Sequence, residues 1–400
     1  MQKQAKGKST ILIFVSLFIS VIVGVILQGS GNAAAAELFR PLGTIYINLV
    51  KMIMVPLVLS SLIVGISGIS DVKQLGKMGI ITVTYFSVTT AVAVIIGLVL
   101  SNIFKPGIGI TVGSEIYNAN EFPDIMEQIV SIFPDNILEA LLNANMLQII
   151  FIAILIGIAI VKAAPKGELL RKIAEDVFEV VSLITKWIMI VTPLGILGLM
   201  IPTVAANGIN VLLPLGKLIL VFYLAIAIQN GITYTISLKC FSNFKLKEFY
   251  GALLPAQIIA FVSCSSAAAL PVSLKRTQEE LKLSTEVSGF VLPLGATINM
   301  DGNALYQGIV TLFIAQAYGI EISIPLQVII ILTGTLASIG AAGVPGAGMI
   351  VLSTVLASVG LPIDGIALVA GIDRILDMGR TYTNVTGDAI TACIVDKQMK

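Results

Sequence analysis

Largely apolar runs of roughly seventeen or more residues begin near Thr10, Met52, Ile80, Met146, Val177 and Val211, each long enough to cross a bilayer as a helix. The alternation of a membrane β-barrel is missing, so the pattern predicts an all-α membrane protein. Beyond residue 245 the pattern changes. The apolar segment from about Tyr250 to Leu274 has Lys245 and Lys247 before it and Lys275 and Arg276 after it, so a simple crossing would export one basic cluster. Its centre, Ser263-Cys264-Ser265-Ser266-Ala267-Ala268-Ala269-Leu270-Pro271, is a run of small residues with a Pro, where two half-helices can meet at a tip. This predicts a re-entrant hairpin. A second such centre, Ser338 to Gly346, lies between nearly uncharged stretches and predicts a hairpin from the opposite side. Each hairpin precedes a helix expected to be interrupted at a polar centre, Asn299-Met300-Asp301-Gly302 and Asn384-Val385-Thr386-Gly387-Asp388. The unit is repeated and inverted.

Composition agrees with the pattern. The 400 residues are 56% hydrophobic and 12% charged, with a mean hydropathy of +0.99, whereas about a quarter of a soluble domain is charged. A net charge of +1 and the lack of a basic patch with interleaved aromatics exclude nucleic acid as a partner. There is no His, and Cys240, Cys264 and Cys393 are too scattered for a disulfide framework or a zinc site, so no cofactor is expected. Basic residues at Lys73 and Lys77, Lys162 to Lys172, Lys239 to Lys247, Lys275 to Lys282, and Lys397 and Lys400 mark cytoplasmic loops. The stretch from Lys105 to Glu139 is acidic, with one Lys, and reads as external. The run from Ile11 to Leu27 exceeds the about 7 to 15 residues of a signal-peptide core, which favours an uncleaved first helix. Both termini are then expected in the cytoplasm, with the chain as a multi-pass protein of the plasma or inner membrane.

The densest chemistry lies between Gly371 and Asp388. Asp373, Asp377, Arg380, Asn384 and Asp388 are spaced 4, 3, 4 and 4 apart, which gathers them on one helix face less than about 90° wide. A charge at the centre of a membrane helix costs about 2.5 to 3.5 kcal/mol on insertion scales, so these groups need partners. Arg380 offers a planar fork for a carboxylate, and Asp377, one turn earlier, can take an ammonium. An amino acid carries both groups. An internal Asp377–Arg380 salt bridge is the alternative use of the same pair. Asn299 and Asp301, and likewise Asn384 and Asp388, can supply the carbonyls and carboxylate that a hard cation such as sodium needs. The alternative is that each Asp caps a half-helix or pairs with an Arg. Half-helix N-termini and the Ser265 and Ser266 hydroxyls at the hairpin tips suit an α-carboxylate.

At these residues the chain resembles the dicarboxylate/amino acid:cation symporter family. The motifs are Ser265-Ser266 ahead of Pro271, Ala296-Thr297-Ile298-Asn299-Met300-Asp301-Gly302, and Asp377-Met378-Gly379-Arg380-Thr381 through Asp388. The resemblance runs from the first helix to about Val395. It implies eight transmembrane helices plus two re-entrant hairpins, in a homotrimer working as an elevator. Residues 1–75 and 130–205 would form the scaffold and trimerisation domain (helices 1, 2, 4 and 5). Residues 76–129 and 206–400 would form the moving transport domain, gated by the outer hairpin.

The implied substrate contacts are Ser265, Ser266, Asn303, Val344, Gly348, Asp377, Arg380, Thr381 and Asn384. One sodium is implied at Gly295, Asn299, Asn384 and Asp388. A second falls at Thr297, Met300, Ser338, Ile339 and Ala341, and a third at Phe86, Thr89, Thr90, Asn299 and Asp301. Asp388, where proton-coupled relatives typically have Asn, and the Thr-Ile-Asn-Met form favour sodium. Asp377 disfavours C4-dicarboxylates, and Arg380 disfavours neutral amino acids. Aspartate or glutamate is then the expected substrate. Asn303 stands where Thr or Ser is usual, which keeps cystine open, and Arg374 is the candidate for a second Arg found near the substrate in relatives. A proton-coupled glutamate symporter, or a sodium-coupled cystine or C4-dicarboxylate symporter, is the alternative.

Two readings of other classes are weaker. An intramembrane protease using Asp301 and Asp388 would want Gly-x-Gly-Asp, but position 385 is Val. A channel would conduct without saturable, ion-dependent uptake.

Overall fold

The computed structural model describes residues 2–30, 33–68, 76–110, 130, 133–208, 212–339 and 346–400, and among these it is all-helical, without strands. The helices are α1 (Gln2–Gly29), α2 (Arg40–Gly68), α3 (Lys77–Phe104), α4 (Ile137–Leu142), α5 (Met146–Lys162), α6 (Glu168–Asn207), α7 (Leu212–Ile228) and α8 (Tyr234–Phe241). They continue as α9 (Leu246–Ser263), α10 (Ser266–Glu279), α11 (Thr285–Ile298), α12 (Asp301–Ala317), α13 (Ile324–Ile339), α14 (Ala347–Ser358), α15 (Ile366–Ala370) and α16 (Asp373–Met399).

By length and composition, the described residues of Lys77–Phe104 and Leu212–Phe241 suffice to cross a membrane, and the two bent halves of α6 make a third span if counted together. The sixth predicted run, from Val211, is α7 and α8 joined by a π-helical turn at Gln229–Thr233. The fifth, expected near Val177, starts earlier, at Glu168, because a charged turn extends the helix towards its N-terminus. It bends by 55° between Thr185 and Ile190, just ahead of Pro193, whose ring removes a helical N–H and crowds the preceding turn. The acidic stretch expected outside lies mostly beyond the described residues, as does Lys73.

The helices pack in two groups. Helices α1, α2, α5 and α6 lie against one another, and α12 lies against α3, α7, α13 and α16. One apolar core runs through α2, α5, α6, α7, α12 and α14, and a second joins α9, α10, α11 and the C-terminal half of α16. Helix α12 is the hub, burying every residue but Gln316, so its polar groups must find partners inside the protein.

Two breaks position the site. Between α9 and α10 the chain turns within two residues: Cys264 takes a left-handed conformation at φ 52°, and Ser265 Oγ caps α10 by accepting from Ala268 N at 3.3 Å. Small residues let the two helices pack side by side. Between α11 and α12 the helix stops at Asn299, whose N–H still bonds Gly295 O at 2.9 Å, and restarts at Asp301. The break strips the last carbonyls of α11 of helical partners. The second expected interruption is not there. Helix α16 runs unbroken through Asn384 to Asp388, packed on α9, α11 and α12, with the Asn384 side chain engaged by Gly302 N rather than by its own backbone.

Candidate functional site

The charged face of α16 is inside the protein. Arg380 is 0% exposed, and Asp373, Asp377, Asn384 and Asp388 are buried with it. The Arg380 fork is shared by two carboxylates. Its Nε donates to Asp377 Oδ1 at 3.2 Å and its Nη2 to Asp373 Oδ2 at 3.2 Å, and ion-pair distances to both are 3.0 Å. The Tyr306 ring lies 4.2 Å from the guanidinium carbon, a cation–π contact. The internal salt bridge left open by the sequence is therefore formed, and Asp373 has a role in it. Seven residues separate Asp373 from Arg380, two helical turns, so their meeting follows from helix geometry. Nη1 lies 3.0 Å from Asp373 Oδ1 but is not aligned for a hydrogen bond to it. One face of a fully buried cation is thus left for another acceptor.

The centre of the second expected hairpin, residues 340–345, lies outside the described residues, and the N-terminal end of α14 that follows it lies against this group. Gly346 N donates to Asp377 Oδ2 at 3.1 Å, and Gln307 Nε2 donates to Gly348 O at 3.3 Å. Only Gly fits at position 348, where a Cβ would come within 2.5 Å of Arg380 Nη1 and 3.2 Å of Asn303 Oδ1. Gly348 and Asn303 therefore flank the fork as expected substrate contacts would. Thr381 is buried and donates to Asp377 O at 3.0 Å. From the other side, Arg374 Nη2 reaches Val262 O, at the tip between α9 and α10, at 3.3 Å. That tip also carries Ser265 and Ser266, both buried. Val344 lies outside the described residues.

Of the predicted cation ligands, Gly295, Asn299, Asn384 and Asp388 come together. Asn299 Nδ2 donates to Asp388 Oδ1 at 2.9 Å and to Asn384 O at 3.3 Å, and a Cβ on Gly295 would stand 2.5 Å from Asp388 Oδ1. Asn384 Oδ1 accepts from Gly302 N at 2.7 Å, and its amide nitrogen contacts Met300 Sδ at 3.1 Å, which locks α16 onto the α11–α12 break. Asp301 faces α3, where Thr90 Oγ1 donates to its Oδ1 at 2.6 Å. Phe86 and Thr89 are buried on the same helix, with the Thr89 hydroxyl donating to the Tyr85 and Phe86 carbonyls at 3.1 and 3.2 Å.

The remaining predicted ligands are less gathered. Thr297 is exposed and its hydroxyl donates to Leu294 O at 2.8 Å. Ser338 is buried without a hydrogen bond to its hydroxyl among the described residues. Ala341 and the side chain of Ile339 lie outside the described residues.

Two partners of Asp301 were missed in the sequence. Tyr234 Oη donates to its Oδ2 at 2.7 Å and Gln229 Nε2 at 3.3 Å. Their signal was the polar pair Gln229-Asn230 inside an otherwise apolar span, at the π-helical turn, a feature frequent at functional sites. Among the described residues, neither Asp301 nor Asp388 has a Lys or Arg within ion-pair distance. Two buried carboxylates are thus held by neutral donors alone, so each needs a bound cation or a proton to neutralise it.

The comparison with known proteins fits this geometry. A profile described as the sodium:dicarboxylate symporter family matches residues 10–398. The chain belongs to that family. It is 36% identical over 400 residues to the proton/sodium-glutamate symport protein of Bacillus caldotenax, covering 96% of this chain and 93% of the relative. It is 36% identical over 405 residues to the proton/glutamate-aspartate symporter of Escherichia coli strain K12, covering 95% and 91%. A proton/sodium-glutamate symport protein of Bacillus subtilis strain 168 is 35% identical over 395 residues, covering 96% and 91%. As a member of the sodium:dicarboxylate symporter family, the chain is a multi-pass membrane transporter and not an enzyme.

Proposed function

We propose that this symporter couples sodium entry to uptake of aspartate or glutamate by an elevator type of alternating access. The observation that carries the reading is the fully buried Arg380 fork, held between Asp373 and Asp377 with Nη1 left unaligned. A substrate side-chain carboxylate takes that nitrogen, while the substrate ammonium goes to Asp377. Asp373, Asp377 and the substrate side chain bring three negative charges against the guanidinium and the ammonium, which leaves one for the coupled cations to offset. The α-carboxylate falls to Ser265 and Ser266 at the tip before α10. Relatives named for glutamate and for glutamate and aspartate support this substrate class.

Asp301 and Asp388 are assigned to sodium, because each is buried among neutral donors and must be neutralised for the moving part to cross the membrane. Asp388 works with Gly295, Asn299 and Asn384, and Asp301 with Phe86, Thr89, Thr90 and Asn299. The third ion, at Thr297, Met300, Ser338, Ile339 and Ala341, belongs under the outer hairpin. The contact of Gly346 N with Asp377 supports that hairpin as the gate, since opening it would uncover the fork. The mutual packing of α1, α2, α5 and α6, and of α3, α7, α13 and α16 around α12, supports the division into a static scaffold at 1–75 and 130–205 and a transport domain at 76–129 and 206–400, with α14 lying against α2 and α5 where the two meet. On this reading the chain has eight transmembrane helices and two re-entrant hairpins, is a homotrimer of the plasma or inner membrane, and keeps both termini in the cytoplasm.

The second reading, proton coupling, is favoured by the relatives whose names include the proton. The same two carboxylates would then be neutralised by protons. Uptake of labelled aspartate, glutamate and cystine into proteoliposomes, under separate sodium and proton gradients, distinguishes the two and identifies the substrate. Sodium-driven aspartate or glutamate uptake is expected; cystine as the preferred substrate would overturn the assignment of the second carboxylate to Arg380.

A further inference from the structure

Two cavities follow one another along α9. The lower, about 470 Å³, is lined by Lys245, Lys247, Glu248, Gly251, Arg276 and Glu280. Arg276 and Glu280 neutralise each other at 3.0 Å, whereas Lys245, Lys247 and Glu248 make no ion pair among the described residues. Those three leave one net positive charge at the mouth. The upper cavity, about 330 Å³, is lined by Leu254, Gln257, Ile258 and Phe261 of α9 with Tyr223 and Tyr382. The polar tips in its wall are turned into the protein: Tyr223 Oη donates to Ile375 O at 2.8 Å and Gln257 Nε2 to Thr386 Oγ1 at 2.9 Å. Carbon faces the cavity.

Lys247, Gly251, Leu254, Ile258 and Phe261 follow one helical ridge, and at 1.5 Å per residue the groove from Lys247 to Phe261 is about 21 Å long. That is about half of a bilayer with its headgroups. At Gly251, which lines the lower cavity one turn before Leu254 of the upper, a Cβ would meet nothing within 4 Å, so no atom blocks the ridge there. Leu254 and Ile258 are 53% and 54% exposed on this ridge.

We propose that α9 carries a site for one anionic phospholipid of the cytoplasmic leaflet. Its phosphate lies on Lys245 and Lys247, and one acyl chain passes Gly251 into the upper cavity. Charge selects the lipid: a monoanionic phosphate diester matches the single net positive charge, and the all-carbon wall above accepts only a hydrocarbon chain. The proposal rests on the reading that the first hairpin enters from the cytoplasmic side. The chain would lie against Tyr382 and Gly379, which flank Arg380 and Thr381, so the lipid backs the substrate-bearing turn of α16.

The test is native mass spectrometry of the purified full-length chain titrated with phosphatidylglycerol, phosphatidylcholine or glycerol 3-phosphate. It needs no transport, so its outcome is independent of the coupling ion. One phosphatidylglycerol per chain should bind about thirtyfold more tightly than phosphatidylcholine, from two basic residues at the headgroup. Glycerol 3-phosphate should not be retained. Lys245→Gln with Lys247→Gln should abolish the preference for the anionic lipid, and Gly251→Leu should weaken both lipids with unchanged thermal stability, since its side chain enters open space. Equal affinity for the two lipids, wild-type binding by Gly251→Leu, or retention of glycerol 3-phosphate would each overturn the site. Disulfide cross-linking between chains through Ile258→Cys would do so too, by showing that a second copy covers this face.

Discussion

Replacing Arg380 with Lys keeps the charge and removes the fork. In the structure one guanidinium serves Asp377 through Nε and Nη2 and Asp373 through Nη2, with Nη1 beside Asp373 but unaligned and Tyr306 at 4.2 Å. A Lys ammonium is a point charge and cannot hold two carboxylates side-on while offering a further N–H to a third. The substitution removes a charge-assisted hydrogen bond to the substrate side chain, about 1.5 to 3 kcal/mol, or about 10- to 150-fold in substrate affinity. Arg380→Cys goes further. It leaves Asp373 and Asp377 buried without a counter-charge, a cost of about 3 to 5 kcal/mol in stability, and uptake of acidic amino acids should be lost. The assay is concentration-dependent uptake of labelled aspartate and glutamate into proteoliposomes, with circular dichroism and a thermal melt on each variant. For Arg380→Lys the expected result is a raised KM with a folded protein. Unchanged aspartate and glutamate uptake in both variants would refute the assignment of the fork to the substrate.

Three further outcomes follow from the cation sites. Asp388→Asn should weaken the dependence of substrate binding on sodium, read as a titration of aspartate affinity against sodium; an unchanged sodium response would remove the first cation site. Gly295→Ala places a Cβ 2.5 Å from Asp388 Oδ1, so the carboxylate must shift and apparent sodium affinity should fall while the Asn299 turn persists; a wild-type sodium titration would mean that this approach is not part of the site. Tyr234→Phe removes the 2.7 Å hydrogen bond to Asp301, worth about 1.5 to 3 kcal/mol when the carboxylate is ionised. Sodium binding should weaken about 10-fold or more, and no change in a sodium titration would place Asp301 outside the coupling.

The sequence disclosed the ionic face of α16 because charges three and four residues apart stand out in an apolar chain, and the same periodicity placed Asp373 on that face two turns from Arg380. The turn at Cys264 was legible because a run of small residues with a Pro between two basic clusters has few other uses. Asn299 and Asp388 could be set side by side only through the family resemblance, since 89 residues separate them. Tyr234 and Gln229 were not found, because they sit 67 and 72 residues from Asp301 and carry no local mark beyond a polar pair in an apolar helix. The continuity of α16 was misjudged for a physical reason. Asn, Thr and Gly near Asp388 resemble the Asn299 break in composition, but packing of α16 on α9, α11 and α12 holds the turn closed.

The most direct test of the account is the driving ion. Proteoliposomes holding this symporter, loaded and diluted so that only sodium or only the proton is out of equilibrium, should accumulate labelled aspartate or glutamate under an inward sodium gradient at equal pH. Accumulation under a proton gradient without sodium, and none under sodium alone, would contradict the assignment of Asp301 and Asp388 to sodium.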